Sequence, residues 1–291
     1  MQSVIICAYN SADRIQQTLH ALSQQIFPVD HEWEVLLVDN SCSDSTVQLA
    51  HEAWRDSGAP TLLRVIREPS QGLCNARRAG ILSAAYDIVT FCDDDNILMP
   101  NYCFDAYQFL TQSPTTGAVG GMSCPSFDVD LNSVHPLFWS KCGSLAIGAQ
   151  GLTSGDVTDR GYLWGAGITI RAKMLREIYK SGIRQLLCGR TESLLLSGDD
   201  TEICNWFILM GYRLRYEEQL FFKHLMPRSR VSKGYLLNLV SGAQNSYPYI
   251  NSYRKINLIL KWAVRLLGEK IGIYLTIILL PLLRFWLNSD V

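Results

Sequence analysis

The sequence predicts an α/β fold built on a parallel sheet. Two observations carry this. Short apolar, β-branched runs alternate with helical patterns from residue 3 to residue 92, the signature of βαβ crossovers. Each run also ends in polar or acidic residues. The most marked case is the run 88–92, which leads directly into Asp93, Asp94 and Asp95. In an open α/β sheet, ligands sit at the carboxyl ends of strands. Three adjacent like charges repel, so a fold that gathers them there commonly supplies a cation. Mg²⁺ or Mn²⁺ suits carboxylates and bridges protein to phosphate. A solvated acidic turn is the plainer reading of the same residues.

The elements follow in order. Residues 3–10 form a strand pattern, and Asn10 or Ser11 can cap a helix that carries Ile15, Leu19 and Leu22. A second strand pattern, 33–40, ends in Asp39. A turn at 41–44 leads to a helix over 46–54 and a third strand over 62–66. Gly72 opens a loop before a helix over 75–86, and the strand 88–92 follows. No GxGxxG and no Walker A pattern occurs, so neither a dinucleotide site nor a P-loop is supported.

Composition sets bounds. The 291 residues allow one large domain, or one with an appendage. With 48% hydrophobic and 18% charged residues, the chain can bury a core. A net charge of −1 argues against a general nucleic-acid surface. The nine cysteines lack CxxC spacing, and Cys7, Cys92 and Cys204 read as buried thiols. No signal-peptide pattern is visible at Met1. A reducing, cytoplasmic setting is the expectation.

Four segments together resemble the successive motifs of glycosyltransferase family 2, which are inverting enzymes with the GT-A fold. They are Ile5-Ile6-Cys7-Ala8-Tyr9-Asn10, Val38 to Asp44, Gly72-Leu73-Cys74-Asn75-Ala76-Arg77, and Asp93 to Asn96. The resemblance covers roughly residues 3 to 230. It implies a Rossmann-like nucleotide-binding sandwich with a mixed central sheet. Donor contacts are implied at Ala8, Tyr9, Asn10, Asp39, Arg77, Asp93 and Asp94, with Asp39 on the base and Asp93 and Asp95 as the DxD-type pair. Two departures are visible: Ser41-Cys42 stands where the family often has a Gly, and Arg78 stands where it often has Asn.

Downstream, 101–112 reads as a helix and 116–121 as a strand, while 123–162 lacks periodicity and reads as an acceptor-side connection. Trp164-Gly165-Ala166-Gly167 precedes a strand over 168–171. By resemblance such a turn lines the sugar pocket, giving Trp164 and Gly165 donor roles; Trp164 stacks on a sugar or is ordinary core. Asp199 and Asp200 precede a helix over 203–210 that ends at Gly211. Acids at a helix start can simply be stabilised by its dipole. The resemblance instead implies a catalytic pair, with Asp200 as general base. Strand patterns at 212–216 and 220–222 lead to His224, then Arg228 and Arg230. By resemblance His224 joins Asp95 and Asp93 on the metal, and neutral imidazole is a suitable ligand; a structural role is the alternative.

The organisation expected is a GT-A domain over 1–253 and a helical segment over 254–291. That segment carries Arg254, Lys255, Lys261, Arg265, Lys270 and Arg284 against Glu269 and Asp290, and an uncharged run over 271–283 interrupted by Pro281. The run is short for a membrane span. Basic flanks favour an interfacial segment on the inner face of a membrane; a buried helix or an oligomer contact is the alternative. The function implied is metal-assisted transfer of a sugar, with inversion, from a nucleotide-sugar (UDP favoured) to a saccharide or lipid-linked acceptor in bacterial surface polysaccharide or glycolipid synthesis. A nucleotidyltransferase forming nucleotide-sugars and a non-catalytic sugar-nucleotide-binding subunit are the rivals.

Overall fold

The computed structural model describes residues 1–141, 145–150, 153–187 and 197–267, with side chains through Leu258. In chain order the elements are β1 (Gln2–Ala8), α1 (Ile15–Ser23), β2 (Trp33–Asp39), α2 (Thr46–Asp56), β3 (Leu62–Arg67), α3 (Leu73–Ser83), β4 (Ile88–Phe91), β5 (Asn96–Leu98) and α4 (Tyr102–Thr111). Then come β6 (Thr116–Phe127), α5 (Leu137–Lys141), β7 (Gly155–Asp156), β8 (Thr169–Arg171), α6 (Ala172–Lys180), α7 (Asp199–Leu209), β9 (Arg213–Met226) and α8 (Lys233–Leu267).

One nine-stranded sheet carries them, in the order β3-β2-β1-β4-β8-β6-β9-β5, with β7 against β9. The first four strands are mutually parallel. The sheet becomes mixed where β8 runs antiparallel to both β4 and β6. Alternation along β1 divides the core between the two faces. Val4 and Ile6 pack with Leu19, Trp54 and Leu110 from α1, α2 and α4. Ile5 packs with Ile81, Leu175 and Phe207 from α3, α6 and α7. A third, smaller core joins Phe138 of α5 and Met226 to Leu236 and Leu239 of α8.

Several elements differ from the sequence reading. The strand patterns 212–216 and 220–222 are one strand, β9. Between Gly120↔Tyr216 and Met122↔Phe221 the ladder slips, and β9 accommodates extra residues there. The polar stretch Glu217-Glu218-Gln219 in this bulge is what breaks the apolar pattern. Gly121 sits opposite the bulge because a Cβ would lie 2.0 Å from the Leu220 carbonyl oxygen. The connection 123–162 contains the end of β6, α5 and β7, and the sequence reading placed no elements at α6 or β5.

α8 runs continuously past the boundary expected at 253/254. Tyr253 and Asn257, on either side of it, are both buried against α7: Trp206 Nε1 donates to Tyr253 Oη at 3.2 Å, and Asn257 Nδ2 to Asn205 Oδ1 at 2.7 Å. The run 271–283 lies outside the described residues. Among the described residues no helix is long and apolar enough to cross a membrane.

Candidate active site

The carboxyl ends of β1 and β4, the turn before β8 and the start of α7 enclose a cavity of about 380 Å³. Its lining includes five carboxylates (Asp93, Asp94, Asp95, Asp199, Asp200) and three guanidiniums (Arg14, Arg77, Arg230). The chain folds this way locally for simple reasons. β4 ends at Phe91 in the middle of the sheet, so the acids after it emerge at the mouth of the crevice. α7 begins at Asp199, four residues earlier than the periodicity suggests, so both acids lie in its first turn, where the helix dipole favours them.

Each acid of the first cluster has a guanidinium nearby. Asp94 is buried; it accepts from Ser11 Oγ and pairs with Arg14 Nη2 at 3.0 Å. Burial, then the neighbouring Asp95 charge, raises its pKa against the pull of Arg14. Asp95, 1% exposed, pairs with Arg230 and lies 3.2 Å from His224 Nε2. Burial opposes its charge, but Arg230 and then His224 outweigh it and hold the carboxyl well below the usual range. Asp93 is the most open of the three at 30% side-chain exposure, with Arg77 Nη2 at 3.7 Å.

The second cluster is held mainly by backbone and one deep ion pair. Asp199 Oδ2 accepts from Arg77 Nη1 at 2.5 Å, and both side chains are buried. Asp200 Oδ2 accepts the Gly165 N–H at 2.8 Å and Oδ1 the Thr201 N–H at 2.7 Å. Burial and then Asp199 push the Asp200 pKa up, and Arg77 and the two amides only partly offset them. Gly165 packs directly against Arg77: a Cβ there would lie 2.5 Å from Arg77 Nη2, and the guanidinium would have to shift. The turn, both clusters and Arg77 therefore form one packed unit.

Of the residues singled out in the sequence, Ala8, Tyr9, Arg77, Asp93, Asp94, Asp95, Trp164, Gly165, Asp199, Asp200 and His224 line the cavity. Asn10 and Asp39 stand beside it rather than in its lining. Asn10 Oδ1 accepts the Ser43 N–H at 2.9 Å and so ties the loop after β1 to the loop after β2, while Asp39 Oδ1 accepts the Cys42 N–H at 2.8 Å within the turn after β2. Ser41, at the position where the family often has Gly, has a left-handed φ of 65° and donates its hydroxyl to the Pro69 carbonyl at 2.9 Å. Arg14 and Asn40 were not singled out by sequence reasoning. Asn40 Oδ1 accepts the Gly72 N–H at 2.8 Å and so sets the loop into α3. The one signal for Arg14 is the charge that three adjacent acids leave to be balanced.

For a divalent cation, Asp95, Asp93 and His224 supply hard oxygens and an imidazole on one side of the cavity. Asp95 and His224 lie side by side against Arg230, while Asp93 faces Arg77; among the described residues no three His, Cys, Asp or Glu side chains converge as a complete metal site. That fits a cation completed by substrate phosphates. His224 Nδ1 is buried without a hydrogen-bond partner among the described residues.

The model of glycosyl transferase family 2 matches residues 3–178, more than half of the chain. The chain belongs to this family. Over 129 residues it is 37% identical to the glycosyltransferase AglE of Haloferax volcanii, a match covering 44% of this chain and 39% of that relative. The chain thus spans less than half the length of this curated relative. Two solved structures share the fold. TarS 1-349 of S. aureus, in complex with UDP-GlcNAc, is 20% identical with a TM-score of 0.54, covering 77% of this chain and 58% of that one. The mannosyltransferase PcManGT of Pyrobaculum calidifontis, in complex with GDP-Man and Mn²⁺, is 17% identical with a TM-score of 0.55, covering 98% of this chain and 82% of that one. The family's α/β GT-A architecture is therefore the fold of this chain, with helices following its mixed sheet.

Proposed function

We propose that this chain transfers a sugar from a nucleoside diphosphate sugar to an acceptor hydroxyl, with inversion at the anomeric carbon. One observation carries the reading: a single cavity joins the acids after β4 to the acids opening α7, at the place where open α/β sheets bind ligands. The donor-bound TarS and PcManGT structures support a nucleotide-sugar. UDP is the base to test first.

The residue roles follow from the contacts. Tyr9 and the loop set by Asn40 border the nucleotide, with Ala8, Asn10 and Asp39 shaping that end. Asp93 and Asp94 face the diphosphate end, and Trp164 and Gly165 the sugar. Asp95, Asp93 and His224 would hold Mn²⁺ or Mg²⁺. Once bound, such a cation neutralises charge developing on the departing diphosphate. Asp200 accepts the proton of the attacking hydroxyl. Its two backbone amides fix the carboxylate, and its raised pKa makes it a stronger base than an open aspartate. Asp199 is occupied by Arg77, so it holds the helix start in place. One displacement breaks the sugar–phosphate bond as the acceptor oxygen attacks from the opposite side, and no covalent nucleophile is used.

The acceptor proposed is a saccharide or lipid-linked hydroxyl of a surface polysaccharide or glycolipid. The basic residues after 253 and the uncharged run 271–283 support a helical appendage to the 1–253 domain that holds the enzyme on the inner face of a membrane. Liposome flotation of the full chain and of a chain ending at Tyr253 tests this, with only the full chain floating. The function is tested by incubation with radiolabelled nucleotide-sugars and Mn²⁺. Transfer or slow hydrolysis is expected. Pyrophosphate exchange would point to nucleotidyl transfer, and binding without turnover to a non-catalytic subunit.

A further inference from the structure

Arg230 occupies ground that a divalent cation would need. It leaves the turn between β9 and α8, where its N–H donates to the Pro227 carbonyl at 2.9 Å and the next residue, Val231, is buried in the small third core. From there the guanidinium reaches Asp95 and also lies 3.1 Å from His224 Nε2. Arginine can only donate. An unprotonated Nε2 therefore spends on Arg230 the lone pair that a metal would use, and Asp95 spends its negative charge on the same group. Asp95 is 1% exposed, so water does not screen the exchange of one cation for another.

We propose that Arg230 is an internal stand-in for the divalent cation. With no donor bound it neutralises Asp95 and occupies the His224 lone pair. When a metal–diphosphate complex enters, the guanidinium leaves these ligands and takes phosphate oxygens, to which its planar fork is well matched. The metal and the nucleotide thereby bind cooperatively, because metal alone must displace Arg230 with no phosphate to receive it. The inference rests on the metal-assisted reading above and adds the order in which the site is filled.

The test is calorimetric titration of Mn²⁺ into the wild-type chain, Arg230→Gln and Arg230→Gln/Asp95→Ala, without nucleotide and with saturating UDP or GDP. Without nucleotide, R230Q is expected to bind Mn²⁺ at least about fivefold more tightly than wild type, the lower end of ordinary coupling between sites. The double variant is expected to lose that gain. Nucleotide is expected to enhance Mn²⁺ binding strongly in wild type and less in R230Q. Arg230→Lys serves as the second variant if R230Q melts too low to titrate. Its point charge keeps Asp95 but gives up the fork geometry, so the gain is expected to be smaller and of the same sign. If Mn²⁺ binds wild type with UDP or GDP but neither variant gains affinity for Mn²⁺ alone, the exchange is overturned and the metal reading stands. Nucleotide binding that is equally tight with and without Mn²⁺ in wild type would make Arg230 the permanent cation and overturn both.

Discussion

The two acidic clusters of this chain are built from the same residue type and held in opposite ways. Asp94 and Asp95, after β4, each meet a guanidinium, Arg14 or Arg230. Asp200, in the first turn of α7, meets backbone amides, and its neighbour Asp199 takes a tight guanidinium contact from Arg77. The consequence appears in the proton affinities. Asp95 is driven down against its burial, chiefly by Arg230, whereas Asp200, like Asp94 of the first cluster, is driven up by burial and a like charge. A carboxylate locked in its charged form suits cation binding. One with a raised pKa suits proton uptake. Environment, more than sequence, separates the two roles.

The largest expected effect breaks the first cluster. Asp95→Ala removes the residue shared by Arg230 and His224 and is predicted to abolish Mn²⁺-dependent UDP affinity while the chain stays folded. Calorimetry with and without Mn²⁺ checks this; unchanged affinity would return the acids to a structural turn. Next is the second cluster's ion pair. Asp199→Asn takes from buried Arg77 its tightest charged partner, leaving Asp93 at 3.7 Å, and losing one partner of a buried pair costs about 3–5 kcal/mol. Denaturant unfolding of the variant measures that loss, and a stability equal to wild type would place the pair at an open surface.

A smaller effect joins the two clusters. Gly165→Ala drives a methyl into the Arg77 guanidinium, and displacing it by about 1 Å can cost on the order of 10²-fold in rate. Steady-state kinetics would show it chiefly in kcat; a normal kcat would mean that the turn adapts freely. Smallest is Tyr253→Phe. It removes the hydroxyl that donates to Glu202 and accepts from Trp206, for about 1 kcal/mol of stability. Thermal unfolding reads this, and no shift would detach α8 from the support of α7.

The sequence made the parallel half legible because its strands are short, apolar and punctuated by the polar residues of the site. Asp93 to Asp95 stand where the end of the 88–92 pattern puts them. The other half was less legible for particular reasons. Glu217, Glu218 and Gln219 interrupt β9 at a bulge that only its pairing with β6 explains. The start of α7 is polar, so its periodicity becomes visible only after its acidic first turn has passed. Arg14 stands just before α1, outside its apolar periodicity, and nothing local marks it as the partner of Asp94, 80 residues away. Long-range charge pairing has no period to read. It was visible only as the unbalanced charge of three adjacent acids.

The central claim is that Asp200 is the base, and a pH profile of Asp200→Asn tests it most directly. In the wild-type enzyme the base must be ionised, and its pKa is raised. The rate is therefore predicted to fall as pH drops through a midpoint above that of an ordinary aspartate, and to be flat above it. The Asn variant is predicted to bind UDP-sugar as wild type does, to turn over about 10²–10⁴-fold more slowly, and to lose that acid limb. A variant with a normal rate, or one that keeps the same limb, would contradict the account and leave Asp200 as an ordinary residue of the first turn of α7.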